Sequence, residues 1–179
     1  DWYIGNADAV QQNFTFIKRD DPARVLILSG DHIYNMDFDP LINFHKEKGS
    51  ELTLVTYEVP LDEASRFGVL AVDDEGKVRS FLEKPKNPPS GLINMGVYLF
   101  NRELLDKVLW EDHKRKETSH DFGKDILPRL VKGKTRVFAY PYKGYWMDVG
   151  TIHSYWQAHM DLLSPDPPLK LYDRSWVIH

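Results

Sequence analysis

The sequence predicts an α/β domain, and three observations carry that expectation. Short apolar runs alternate with helix-period segments along most of the chain. One run, Val25-Leu26-Ile27-Leu28, is apolar without interruption, as expected for a strand covered on both faces. Glycine, proline and aspartate punctuate the runs at the spacing of short connections rather than of long disordered loops.

Taken in order, Ala7–Asn13 has a helical pattern and Val25–Leu28 is a strand ending in Ser29-Gly30-Asp31. Asp39 followed by Pro40 is an N-cap and first-turn pair, so a helix should run from there to about Lys48 and stop at Gly49. Leu52–Val59 is the next strand, and Leu61–Arg66 a short helix. Val69–Val72 and Val78–Leu82 flank Asp73-Asp74-Glu75-Gly76, which predicts a β-hairpin. Lys84–Ser90 holds three prolines and must be a loop. Leu92–Phe100 is a strand, Arg102–Trp110 a helix, and Glu111–Ser119 a charged, exposed loop. Phe122–Val131 is amphipathic, with Pro128 expected to interrupt or kink it. Thr135–Tyr140 is a strand, and Thr151–Leu163 a helix that Thr151 can cap. Ser164-Pro165-Asp166-Pro167-Pro168 reads as a linker.

Composition excludes several classes. With no cysteine, there are no disulfides, thiol nucleophiles or cysteine metal sites. A net charge of -4 argues against a nucleic-acid partner, so any phosphate must be met by local positive charge. No apolar run approaches the roughly 18 residues of a membrane span. The chain opens on Asp1 with no leader pattern and closes on Ser175-Trp176-Val177-Ile178-His179, so both ends are expected to be internal cut points.

Three segments have the residue types of a phosphoryl-transfer site. Ser29-Gly30-Asp31-His32 follows a buried strand, where α/β sheets bind ligands; the glycine admits close approach and the aspartate suits Mg²⁺, although a turn with a solvated aspartate has the same composition. Glu83-Lys84-Pro85 offers a compact cation for a phosphate, or a surface charge pair. Trp146-Met147-Asp148-Val149-Gly150 places a second carboxylate before a helix. His32 is expected to position or pack rather than bind metal. Ser119-His120-Asp121 has the residues of a hydrolase triad, but adjacent residues cannot converge into the relay, so that possibility is rejected. The basic run His113–Lys116 is expected to be solvated.

These segments form a larger pattern. Gly5-Asn6-Ala7-Asp8-Ala9-Val10, Leu28–Tyr34, Arg66-Phe67-Gly68-Val69, Phe81–Pro85, Asn94-Met95-Gly96-Val97-Tyr98, His120–Ile126 and Tyr145–Thr151 occur in the order seen in bacterial and plant ADP-glucose pyrophosphorylases. The chain resembles that family of sugar nucleotidyltransferases over nearly its whole length, and Tyr172–Trp176 resembles the family's link to a C-terminal β-helix.

The resemblance implies a Rossmann-like nucleotidyltransferase domain, its mixed, mostly parallel sheet flanked by helices on both faces. Residues 1–163 would be part of that domain, incomplete at the N-terminus, and 164–179 a linker toward an absent β-helix domain. The implied reaction joins ATP and α-D-glucose 1-phosphate into ADP-glucose and pyrophosphate for glycogen or starch synthesis. Asp31 and Asp148 would be the Mg²⁺ ligands and, with Lys84, the catalytic groups. Lys84 would hold the sugar phosphate; Glu83, Asn94, Tyr98, Asp121, Phe122 and Trp146 would bind glucose; Gly5, Ala7, Asp8 and Gly30 would lie against the nucleotide. The full protein would be a cytoplasmic homo- or heterotetramer with no membrane or nucleic-acid partner, and this piece alone would be inactive. The pattern departs from the family at Asn6, at Asn94 where serine is usual, and at Met147 where arginine is frequent. A non-catalytic regulatory subunit, or an enzyme using another nucleotide, are the alternatives.

Overall fold

The computed structural model describes residues 2–171, and Tyr172–Trp176 lie outside them. Within the described residues the chain forms two compact units. The first comprises the residues up to Leu28 together with Asp39–Tyr142, and the second Ser29–Phe38 together with the residues from Lys143 on.

The first unit is an α/β layer built on a six-stranded mixed sheet. Its strands are β1 (Arg24–Leu28), β3 (Leu52–Glu58), β4 (Gly68–Val72), β5 (Val78–Glu83), β6 (Leu92–Asn101) and β7 (Val137–Pro141); β2 belongs to the second unit. The order is β5-β4-β6-β3-β7, with β1 also on β6. β3 and β7 pair in parallel, and the other pairings of this sheet are antiparallel. The expected α/β class and mixed sheet are present. The antiparallel share is large because β4 and β5 form the expected hairpin, while β6 runs antiparallel to each of its three neighbours.

β6 is the spine of this sheet. One of its edges takes β3. β1 pairs with its C-terminal half and β4 meets Ile93 near its start. Between Leu54↔Tyr98 and Thr56↔Asn94 the register slips, so β6 carries a bulge there, with Gly96 at φ 73°. A residue with a β-carbon would be strained at that φ, which explains glycine in an otherwise apolar strand.

The helices of this unit are α1 (Asn6–Gln12), α2 (Phe14–Arg19), α3 (Phe38–Glu47), α4 (Arg102–His113) and α5 (Leu127–Lys132). Leu52, Leu54, Phe100, Leu105, Phe122, Ile126 and Leu127 form the centre of its core, each 0–1% exposed. Burying a side chain of that size contributes about 1.5–3 kcal/mol. α3 is tied to the sheet by a buried polar clasp. His45 Nδ1 lies 2.8 Å from Thr53 Oγ1 and Nε2 lies 3.0 Å from Asn101 Oδ1, while Asn101 Nδ2 donates to the Ser50 carbonyl. Burial lowers the His45 pKa, which keeps the ring neutral.

Several expectations need correction. β1 is half-buried rather than covered on both faces, with Leu28 45% exposed. Its apolar run reflects its pairing with β6, not full enclosure. The first helix is followed at once by α2, because Asn13 closes one helix and opens the next. Pro128 neither interrupts nor kinks a helix. A π-helical turn, Phe122–Ile126, precedes it, and Pro128 stands in the first turn of α5, where its missing N–H costs nothing. α3 begins at Phe38, so Asp39 lies in its first turn rather than capping it. α4 continues to His113, into the stretch expected to be loop.

The second unit holds β2 (His32–Tyr34), β8 (Trp146–Asp148) and α6 (Ile152–Leu162). β2 and β8 form a two-stranded antiparallel ladder in which His32 pairs with Asp148 and Tyr34 with Trp146. Thr151 caps α6 as expected, its hydroxyl accepting from Ser154 N while Ser154 Oγ accepts from Thr151 N. Among the described residues no helix is long and apolar enough to cross a membrane.

Candidate active site

Each unit presents a pair of carboxylates, and the two pairs are built differently. In the first unit Glu83 ends β5 and Asp121 caps the π-helical turn, its Oδ1 accepting from Lys124 N at 2.9 Å. Gly123 fills the gap between them. A β-carbon there would lie 2.6 Å from Glu83 Oε2 and 3.3 Å from Asp121 Oδ1. Gly68 borders the other side, where a β-carbon would lie 3.0 Å from the same Glu83 oxygen. Glycines at these positions clear a carboxylate that side chains would crowd.

Burial raises the Glu83 pKa; the neighbouring Lys84 ammonium opposes the shift and Asp121 reinforces it. Tyr98 is 7% exposed, and its phenol pKa is raised by burial, against which the hydrogen bond from Asn94 acts. Tyr98 and Phe122 pack as a tilted pair at 5.5 Å between ring centres, and Phe122 lies 5.9 Å from Phe100. Glu83, Tyr98, Asp121 and Phe122 are therefore brought together.

Asn94 joins them in a different capacity. Its Nδ2 donates to Tyr98 Oη at 2.9 Å and its Oδ1 accepts from Gly96 N at 3.2 Å. The amide spans the β6 bulge and fixes the tyrosine. Lys84 is exposed, with φ 46°, and its N–H donates to the Phe67 carbonyl. A non-glycine residue held in the left-handed region is costly and tends to occur where a side chain must be aimed.

Gly5, Ala7 and Asp8 are engaged within the protein. A β-carbon on Gly5 would collide with the Ser119 and His120 carbonyl oxygens. Ala7 N and Asp8 N donate to the His120 carbonyl at 2.9 and 3.4 Å, and Asn6 Oδ1 accepts from Phe122 N at 2.8 Å. Asp8 is buried, its Oδ2 accepting from Ile4 N and Gln12 Nε2. Hydrogen bonding by Ile4 lowers its pKa against the pull of burial. The departure at Asn6 thus has a structural use.

The rejected triad is indeed dispersed. Ser119 Oγ donates to Asp125 Oδ2 at 2.7 Å, while His120 Nδ1 lies 2.8 Å from Asp112 Oδ2.

In the second unit Asp31, His32 and Asp148 each offer a ligand atom, all within 4.8 Å of one another. Asp31 comes from the turn before β2, and the β2–β8 register sets His32 beside Asp148. Val149 N donates to the Asp31 carbonyl at 3.0 Å, which holds the two segments together. Gly150 N donates to Asp148 Oδ1 at 2.8 Å, leaving the other oxygen for a ligand. His32 Nε2 lies 3.6 Å from Asp31 Oδ1, and its ring packs edge-on against Trp146 at 5.3 Å. Two carboxylates and an imidazole at this separation are a donor set that suits a divalent cation. Gly30 is exposed, with open space where a β-carbon would stand.

The α2–α4 face carries a groove of about 520 Å³ lined by Lys18, Arg102, Glu103, Asp106, Lys107 and Trp110. Lys18 pairs with Asp106, Arg102 with Asp21 and Lys107 with Glu111, so each of its basic groups has an acidic partner.

Sequence reasoning missed His120, Asp112 and the ligand-like placement of His32. Only the β2–β8 register, invisible in two three-residue strands, could have signalled the last.

The chain is similar to curated proteins named glucose-1-phosphate adenylyltransferase. It is 47% identical over 178 residues to that of Clostridium novyi, covering 99% of this chain and 47% of the relative. It is 50% identical to that of Fusobacterium nucleatum over 99% of this chain and 46% of the relative. It is 48% identical to that of Thermosipho africanus over 99% of this chain and 43% of the relative. The chain thus spans about half the length of the curated relatives it matches. The nucleotidyl transferase family model matches residues 3–165, which include every carboxylate described above, and the chain belongs to that family.

Proposed function

We propose that the whole protein is a glucose-1-phosphate adenylyltransferase, transferring AMP from ATP to α-D-glucose 1-phosphate to give ADP-glucose and pyrophosphate. The observation that carries the proposal is the grouping of Asp31, His32 and Asp148 around a space suited to one cation, in a chain whose relatives bear that name.

The reaction forms a bond between the sugar-phosphate oxygen and the α-phosphorus of ATP, and breaks the bond from that phosphorus to the pyrophosphate oxygen. It asks the protein mainly for positioning and charge neutralisation. Asp31 and Asp148 hold Mg²⁺, which when bound offsets charge on the phosphates. The Lys84 ammonium takes the phosphate of glucose 1-phosphate. Glu83 and Asp121 accept hydrogen bonds from sugar hydroxyls. Their partly dry setting strengthens those bonds, because few waters compete. Phe122 and Tyr98, both buried, form the apolar backing of the sugar site, Asn94 fixes Tyr98, and Trp146, buried against His32, is assigned to the glucose side as well. Gly5, Ala7, Asp8 and Gly30 belong to the nucleotide side. Since Ala7 and Asp8 are turned inward, their part is to hold the turn. The assembly we assign is a cytoplasmic tetramer.

The test is ADP-glucose synthesis by the full-length protein with ATP, glucose 1-phosphate and Mg²⁺, compared with dTTP, UTP and GTP. Preference for ATP is expected. A preference for another nucleotide, or no turnover with any, overturns the assignment.

A further inference from the structure

We propose that His120 and Asp112 are positioning residues that hold the Asp121–Phe122 corner in the shape that accepts the sugar. The proposal rests on the assignment of Asp121 and Phe122 to glucose. His120 has φ 51°, in the region that favours glycine. It is held there at three points. Its Nδ1 lies 2.8 Å from Asp112 Oδ2, its N–H donates to Thr118 Oγ1 at 3.1 Å, and its carbonyl accepts from Ala7 N at 2.9 Å.

The anchor is unusual for a loop. Asp112 lies in the last turn of α4 with its side chain 3% exposed, against 14% for His120. Its second oxygen accepts from Thr118 Oγ1 at 3.1 Å, so both oxygens are matched by the one segment 118–120. Burying a carboxylate is costly unless its partners are in place, so Asp112 disfavours any other position of that segment. From the far side Asp125 Oδ2 accepts from Ser119 N, Ser119 Oγ and Asp121 N.

A plain turn does not need this. Glycine would adopt the same φ without strain, and no buried carboxylate would be required. Strain that the surroundings over-determine is characteristic of sites where a neighbouring group must be aimed. The next residue is Asp121, whose carboxylate lies beside Gly123 and Glu83, and then Phe122, whose N–H is fixed by Asn6. The clasp therefore sets the direction of the acid assigned to the sugar and of the buried ring behind it.

The experiment uses the full-length protein and the variants His120→Ala, Asp112→Asn and His120→Asn. Calorimetry reads glucose 1-phosphate binding, and steady-state kinetics reads KM and kcat for each substrate. We expect His120→Ala and Asp112→Asn to weaken glucose 1-phosphate binding and raise its KM by about tenfold or more, with kcat and the KM for ATP within about threefold. His120→Asn, which tolerates the left-handed backbone and keeps a donor, should recover to within about threefold of the unaltered protein. If His120→Ala is not recovered folded, Asp112→Asn carries the test by the same criterion. Equal losses for both substrates, or sugar-phosphate binding that the variants share with the unaltered protein, overturn the clasp alone. An unaltered protein that binds no glucose 1-phosphate overturns both the clasp and the sugar assignment.

Discussion

Glu83 with Asp121 and Asp31 with Asp148 are two carboxylate pairs in opposite settings. The first closes around a glycine, next to packed aromatic rings, and desolvation raises the pKa of Glu83. The second lies along a short ladder beside an imidazole, with the Asp31 side chain 66% exposed. Desolvated acids favour neutral hydrogen-bond donors such as hydroxyls. Carboxylate oxygens that water and a metal can reach suit a divalent cation. In the function proposed above, the same functional group is assigned to sugar hydroxyls at one pair and to a cation at the other, according to its surroundings.

The comparison can be broken most directly at the wet pair. Asp31→Asn and Asp148→Asn should each lower turnover by about 10²–10⁴-fold and weaken Mn²⁺ binding read by electron paramagnetic resonance. Undiminished turnover in both would remove the metal role.

At the dry pair, Glu83→Gln should raise the KM for glucose 1-phosphate by about 10–100-fold, the cost of losing a charged acceptor. It should also stabilise the ligand-free protein. A pKa raised on folding contributes stability below the unfolded value and loses it as pH rises through the folded value. Removing the ionised group should then lift the midpoint of thermal unfolding at pH 7 by about 2–4 °C. A lower midpoint would contradict the desolvated character of Glu83. Gly123→Ala, which drives a β-carbon to 2.6 Å from Glu83 Oε2, should cost about 1–3 kcal/mol in denaturant unfolding and weaken sugar binding.

The smallest effect is expected far from both pairs. The His45 pKa is lowered on folding, so its contribution is intact above the unfolded value of about 6.5 and is lost as pH falls below it. His45→Gln should flatten that part of the stability curve. An unchanged slope would show that other groups set the acid limit.

Much of this was legible from residue types. The β4–β5 hairpin was marked by Asp73-Asp74-Glu75-Gly76, the α6 start by Thr151, and the carboxylates by their motifs. What stayed hidden depends on partners distant in the chain. The β2–β8 ladder has three residues a side, too few for alternation to register. The bond from Asn94 to Tyr98 and its bond across the β6 bulge could not be read from its motif. The π-helical turn has no propensity signature, so Pro128 suggested a break where a helix begins. The partner of His120 could not be read from the sequence, since Asp112 sits in the charged run after Trp110 that was expected to be an exposed loop.

The pairing of β1 with β6 also bears on how the protein is made. Val25 pairs with Phe100, with β2, β3, β4 and β5 between them in the chain. At about 5–20 residues per second, a ribosome needs roughly 4–15 s after Val25 to deliver that partner. During that interval the Arg24–Leu28 segment has been made and β6 has not. Nascent-chain chaperones and slow-translating codons upstream of Leu92 are therefore expected to influence yield.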